Sequence, residues 1–186
     1  FNTMKANYTI LKGIFVGSFM ILGSYFNALQ AQPDCAIMKD HGQGFSTTIS
    51  SVMDNLDNTY TIVLTVEHDG CPGPDCQSLA HYSVEADAGT YYDIYVEDIR
   101  GNVSYGGIVM GPSLGSVPFD GFKISNITGL GQGQAGVFRI IYTLTGGLQD
   151  QQTMAKAGSD LLLVSFTTAD FQSVQDCGHQ NIFPYY

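Results

Sequence analysis

Between Tyr60 and Asp87 the chain reads as two alternating runs joined by a short loop with a cysteine at each end. In the first run Tyr60, Ile62, Leu64 and Val66 fall on one side, and Thr61, Val63, Thr65 and Glu67 on the other. This period of two marks a half-buried strand. Beyond the loop Ala80, Tyr82, Val84 and Ala86 share one side, opposite His81, Ser83, Glu85 and Asp87. The pattern predicts a β-arch or hairpin with a closed tip, on which the other strands pack.

Similar alternation predicts strands over residues 45–53, 91–99, 122–127, 137–145 and 161–167. In the first of these, Phe45, Thr47, Ile49, Ser51 and Met53 share a side. Residues 34–44 read as polar and irregular, and 101–121 as one brief strand within a long glycine-rich loop. Residues 149–158 fit either a polar strand or a short helix, because Met154, Ala155, Lys156 and Ala157 are helix formers. Thr168, Ala169, Asp170 and Phe171 predict one helical turn before Cys177. Seven to nine short strands without a long amphipathic helix define an all-β class: an antiparallel β-sandwich with immunoglobulin-like or jelly-roll wiring, ahead of a closed barrel.

The first 31 residues break this texture. Lys5 and Lys12 precede an apolar run of about 14 residues, and Leu29-Gln30-Ala31 closes it. This is the form of a secretory signal peptide, too short in its apolar core to span a bilayer. Met4 is its expected start, with residues 1–3 upstream. Cleavage before Gln32 would leave one domain, residues 32–186, and no membrane insertion. Its five cationic and 17 acidic side chains give it a formal charge of −12. Lys39, Arg100, Lys123, Arg139 and Lys156 are scattered singly, whereas nucleic-acid binding needs clustered cations that displace counterions from phosphates.

Export also decides how the four cysteines read. An even count in an oxidising compartment implies disulfides. Of three connectivities, Cys71–Cys76 with Cys35–Cys177 is favoured, because Pro72-Gly73-Pro74-Asp75 forms a tight turn and the other two lie near the domain's ends. A metal site of Cys71 and Cys76 with His68 and His81 is the rival; the disulfide reading assigns no metal and no cofactor. Asp54, Asn55, Asp57 and Asn58 hold oxygens that suit calcium, but they lack the spacing of a calcium loop and fit a plain turn.

Two patterns look like chemistry. The glycines of residues 131–136 match a dinucleotide-binding fingerprint, yet the β-branched run that follows is a strand where the cofactor needs a helix. Gly111-Pro112-Ser113-Leu114-Gly115 matches a nucleophile elbow without the strand and helix that chemistry requires, which argues against Ser113 acting with His179 or His81. Paired carboxylates, Asp93 with Glu97 or Glu85 with Asp87, would serve glycan hydrolysis if held at the right separation. Asn102 and Asn126 head glycosylation sequons.

The strongest binding candidate is a stripe of Tyr91, Asp93, Tyr95 and Glu97, bordered by His81 across the turn at residues 88–89. Tyrosine offers a flat apolar ring with a polar tip, and nearby carboxylates accept hydrogen bonds from hydroxyl groups. Cross-strand aromatic dressing of a sheet is the competing explanation.

The segments of residues 71–81 (CPGPDCQSLAH), 120–124 (DGFKI) and 148–158 (LQDQQTMAKAG) resemble an uncharacterised domain that recurs in exported bacterial surface proteins. The resemblance implies a secreted β-sandwich, often a module of larger adhesin-like proteins, and supplies no catalytic residues. The expected function is a secreted or cell-surface, non-enzymatic module binding an extracellular protein or glycan. A carboxylate-dependent hydrolase and a subunit of a surface filament are the alternatives.

Overall fold

The computed structural model describes residues 35–87, 89–111 and 117–180, all within the compact unit Gln32–Tyr186. Residues 1–34, on which the signal-peptide expectation falls, Ser113 and the side chain of His179 lie outside the described residues. Among these residues there are ten strands: β1 (Ile37–Gly42), β2 (Phe45–Asp54), β3 (Thr59–Asp69), β4 (Leu79–Glu85), β5 (Tyr91–Arg100), β6 (Gly107–Gly111), β7 (Gly121–Ser125), β8 (Ala135–Thr145), β9 (Gln151–Ala157) and β10 (Asp160–Phe166). Among the described residues one helix, α1 (Thr168–Gln180), follows them. The expected seven to nine strands undercount by at least one. The strand not foreseen is β1, whose Lys39, Asp40 and His41 hide any apolar alternation.

The strands form two antiparallel five-stranded sheets, ordered β1-β2-β3-β8-β5 and β10-β9-β4-β7-β6. Both sheets keep open edges, so the fold is a sandwich and not a barrel. The Tyr60–Asp87 unit is an arch: β3 lies in the first sheet and β4 in the second, with the cysteine loop carrying the chain across. Residues 151–157 resolve as strand β9, paired with β4 and β10.

Period-two burial builds the core. Ile62, Leu64 and Val66 face Tyr82 and Val84 between the sheets, joined by Phe122, Ile124, Phe138, Ile140, Tyr142 and Leu144. Fully burying a large apolar side chain contributes about 2–3 kcal/mol. The alternation read for β2 fails halfway, because a bulge between Ile49 and Ser51 turns Val52 inward and leaves Met53 exposed. Two sets of polar groups inside the sandwich are paired with one another. His41 Nε2 lies 2.8 Å from the Thr47 hydroxyl, which lies 2.5 Å from the Tyr82 hydroxyl. Tyr142 donates to Gln151 Oε1, also at 2.5 Å.

The 13-residue α1 exceeds the single turn that was expected. Its apolar anchors are few, chiefly Phe171 and Val174, so its sequence shows little amphipathic signal. Reciprocal capping holds it: Thr167 Oγ1 accepts the Asp170 amide (3.2 Å) and Asp170 Oδ2 accepts the Thr167 amide (2.8 Å). Burial alone would raise the Asp170 pKa, but the Thr167 hydrogen bonds and Lys39 outweigh it and hold the carboxyl below its ordinary value. Cys177 of α1 is bonded to Cys35, and Cys71 to Cys76, with Cα separations of 5.7 and 6.0 Å. The favoured pairing is therefore the one observed.

Candidate functional site

The proposed stripe on β5 is broken. Between Tyr92 and Tyr95 the strand carries one residue more than its partner β8, and Asp93 takes φ 51° to accommodate it. Aspartate tolerates this left-handed geometry better than most residues. The extra residue reverses which side chains point outward. Tyr91 thus turns into the core, 8% exposed, with its ring 5.6 Å from Phe122. Its hydroxyl donates to the Gly121 carbonyl (2.6 Å) and accepts the Gly111 amide (3.2 Å). Tyr91 is therefore a tie between the sheets and no part of the outer surface.

Tyr92 takes the outward place that was assigned to Tyr91. It stands opposite Thr143, and Tyr95 opposite Ile141, with the two tyrosines 41% and 63% exposed. The register extends each across the sheet: Tyr92-Thr143-Thr61-Met53 in one row and Tyr95-Ile141-Val63-Ser51 in the next. Glu97 follows, opposite Arg139 and 4.0 Å from its guanidinium. Further along, Arg100 pairs with Glu67 at 2.8 Å. Exposed ion pairs of this kind add little stability. They leave an outer face of aromatic, aliphatic and threonine side chains whose flanking charges are matched.

Beside this face, where the edge of one sheet approaches the edge of the other, lies a groove of about 230 Å³. Tyr91, Tyr92, Asp93 and Ile94 of β5 line one side, and Ile108 and Met110 of β6 the other. Among the described residues that line it, Asp93 alone is charged. The strained Asp93, the two exposed tyrosines and the groove coincide at one end of β5. Sequence patterning missed Tyr92, Ile108 and Met110 because a one-residue bulge has no compositional signature. The adjacent Tyr91-Tyr92 pair before a turn-tolerant aspartate was the sole cue.

His81 does not border these residues. It lies on β4 in the other sheet, with Lys156 opposite it on β9 and Lys123 two residues away in register on β7. Its Nε2 is buried without a hydrogen-bond partner. Burial, with Lys123 and Lys156, lowers its pKa to about 4. The unfolded value is near 6.5, so between those limits the unfolded chain binds more protons than the folded one. Stability from this site is complete above about pH 6.5 and is lost as the pH falls towards 4. Solvent screening at the partly exposed ring limits the loss to roughly 1–2 kcal/mol. Urea unfolding across this range is expected to show that slope, and His81→Gln to flatten it. A residual slope of the same sign is expected from His41, whose pKa burial also lowers.

The other candidates are placed as follows. Asp54 Oδ1 accepts the Leu56 amide, and Asp57 Oδ1 accepts the amide and hydroxyl of Thr59, so these side chains build the β2–β3 turn. His68, Asp69 and Cys71 bring ligand atoms within 4.8 Å of one another, but Cys71 is spent in its disulfide, and His81 is not in this group. Gly131 and Gln134 bridge each other and lead directly into β8, as the strand reading of the glycine motif requires. Glu85, Asp87 and Asp120 line a second hollow of about 330 Å³, where Glu85 accepts the Gln152 amide at 2.8 Å.

Fold and bonding together define a disulfide-bonded antiparallel β-sandwich. No family model matches the chain, and no curated protein matches it. Among solved structures, the GAE domain of GGA2p from Saccharomyces cerevisiae aligns over 71% of this chain and 94% of its own. The identity is 8% and the TM-score 0.28, a likeness that carries no functional argument. Among the described residues, no helix is long and apolar enough to cross a membrane.

Proposed function

We propose that this protein is a secreted or cell-surface interaction module, without catalytic activity, that binds an extracellular protein or glycan at the β5 end of the first sheet. The observation that carries the reading is the outward pair Tyr92 and Tyr95 beside the groove lined by Asp93, Ile108 and Met110. Tyrosine rings stack on sugar faces and anchor protein interfaces at small entropic cost. Asp93 supplies an acceptor for a hydroxyl or a cation at the groove's mouth. Two disulfides fit an oxidising compartment, as does the leader-like start of the chain. The acidic surface disfavours phosphate-rich partners.

A glycan array and a pull-down from surface extracts test this reading. Tyr92→Ala with Tyr95→Ala is expected to weaken any ligand found by roughly ten- to a hundredfold, while Tyr60→Ala, on another strand, leaves it unchanged. Unaltered binding in the double variant would remove this face from consideration. Cleavage of an arrayed glycan that is lost in Glu85→Gln would instead favour the carboxylate-dependent hydrolase, acting at the hollow beside Asp87 and Asp120.

A further inference from the structure

We infer that β6 is a self-association edge, through which two copies of this chain pair antiparallel about a twofold axis. The inference draws on how the four sheet edges differ and uses neither Tyr92 nor Tyr95, although Ile108 and Met110 of β6 also line the groove of the proposed site. An unpaired edge strand exposes alternate backbone N–H and C=O groups, and proteins blunt such edges with charges, bulges or cover. β5 has both bulges and charges: two register shifts, with Asp93, Glu97, Asp98 and Arg100 along it. β1 carries Lys39 and Asp40 and an irregularity before Gly42. β10 is covered by β1, with His41 Nδ1 lying 2.9 Å from the Leu162 carbonyl oxygen.

Among the described residues, β6 has none of these protections. Its five residues, Gly107-Ile108-Val109-Met110-Gly111, contain no charge, no proline and no register shift against β7. Val109 and Met110 are 50% and 61% exposed. On a chain of formal charge −10, this is the edge where a second copy meets no like charge along the strand.

The sequence of β6 also selects the occupant. Reversed, it keeps its pattern of glycine, large apolar, valine, large apolar, glycine. Antiparallel pairing centred on Val109 sets Val109 against its counterpart, Ile108 against Met110, and glycine against glycine. Ile108 and Met110 line the groove side, so pairing buries the exposed Met110 against apolar surface. Lys123, opposite Val109 on β7, would lie three strand spacings from the same lysine of the second copy. That is about 14 Å, beyond the screening length at physiological salt. The contact is isologous and closes as a dimer.

Sedimentation equilibrium of the full chain over a dilution series tests the pairing. A reversible dimer is expected. Val109→Lys sets like charges together at the axis and is expected to weaken dimerisation roughly a hundredfold. Because Val109 is half exposed, its circular dichroism and melting temperature should remain those of the parent. Val109→Cys is expected to form a symmetric disulfide dimer in air, since directly opposed Cβ atoms lie about 5 Å apart. A chain monomeric at every concentration, a dimer indifferent to Val109→Lys, or growth past the dimer into filaments would each overturn the inference. So would a different partner whose binding Val109→Lys abolishes while the parent chain stays monomeric.

Discussion

Replacing Cys35 and Cys177 together by serine is expected to lower the melting temperature by about 10 °C or more, whereas replacing Cys71 and Cys76 costs far less. The first bridge joins residues 142 apart and the second residues five apart. In the chain-entropy account the long closure contributes about 5 kcal/mol and the short one about 2, with native strain reducing either figure. A domain of this size retains only about 5–15 kcal/mol in total, and each kcal/mol shifts its midpoint by roughly 2–4 °C. Position amplifies the difference. The long bridge fastens α1, which rests on β2 and, among its described side chains, buries Phe171, Val174 and Gln175. Its loss should free the helix before the sheets separate, which hydrogen exchange at Phe171 and Val174 would register. Equal losses for the two double variants, under matched thermal scans, would sink this account.

Gly121→Ala is expected to be the most damaging single substitution at the sheet junction. Gly121 has φ 149°, a backbone geometry that L side chains rarely adopt, and a Cβ there would sit 2.0 Å from the Val84 carbonyl oxygen and 2.9 Å from the Ala86 amide nitrogen. Neither contact can be relieved by a rotamer change, because both are backbone. The strand pair β4–β7 must separate, and the Gly121 carbonyl that receives the Tyr91 hydroxyl must move. We expect a loss of about 3–5 kcal/mol, measurable by urea titration. Tyr91→Phe, which removes the hydroxyl and leaves the backbone alone, should cost only about 1–2 kcal/mol. An alanine variant as stable as the parent would show that β7 can shift without resistance.

These two cases mark what the sequence discloses. Both disulfides are legible in the even cysteine count and the tight turn at Pro72–Asp75, and the sandwich in the period-two runs that became β3, β4 and β8. Those readings rest on local chemistry. What escaped lies in register. The bulges in β2 and β5 each insert one residue and invert the faces beyond, so Met53 and Tyr91 are found on the sides opposite to those their alternation gave. The grouping of His81 with the tyrosines assumed that β4 and β5 were sheet neighbours, whereas the chain crosses between sheets there. β1 escaped because an edge strand can carry lysine, aspartate and histidine at little cost.

The placement of β8 has a consequence for the order of assembly. β1, β2 and β3 form a meander from contiguous sequence, but the inner flank of β3 is completed by β8, along the register from Thr59 with Thr145 to Asp69 with Ala135. Those partners lie 66 to 86 residues apart, so loop-closure entropy opposes their meeting. Until β8 arrives, β3, whose Ile62, Leu64 and Val66 belong to the core, presents a bare hydrogen-bonding edge. During that interval a chain emerging N-terminus first is vulnerable to aggregation through Tyr60–Val66, and the rate of β8 docking sets how long the interval lasts.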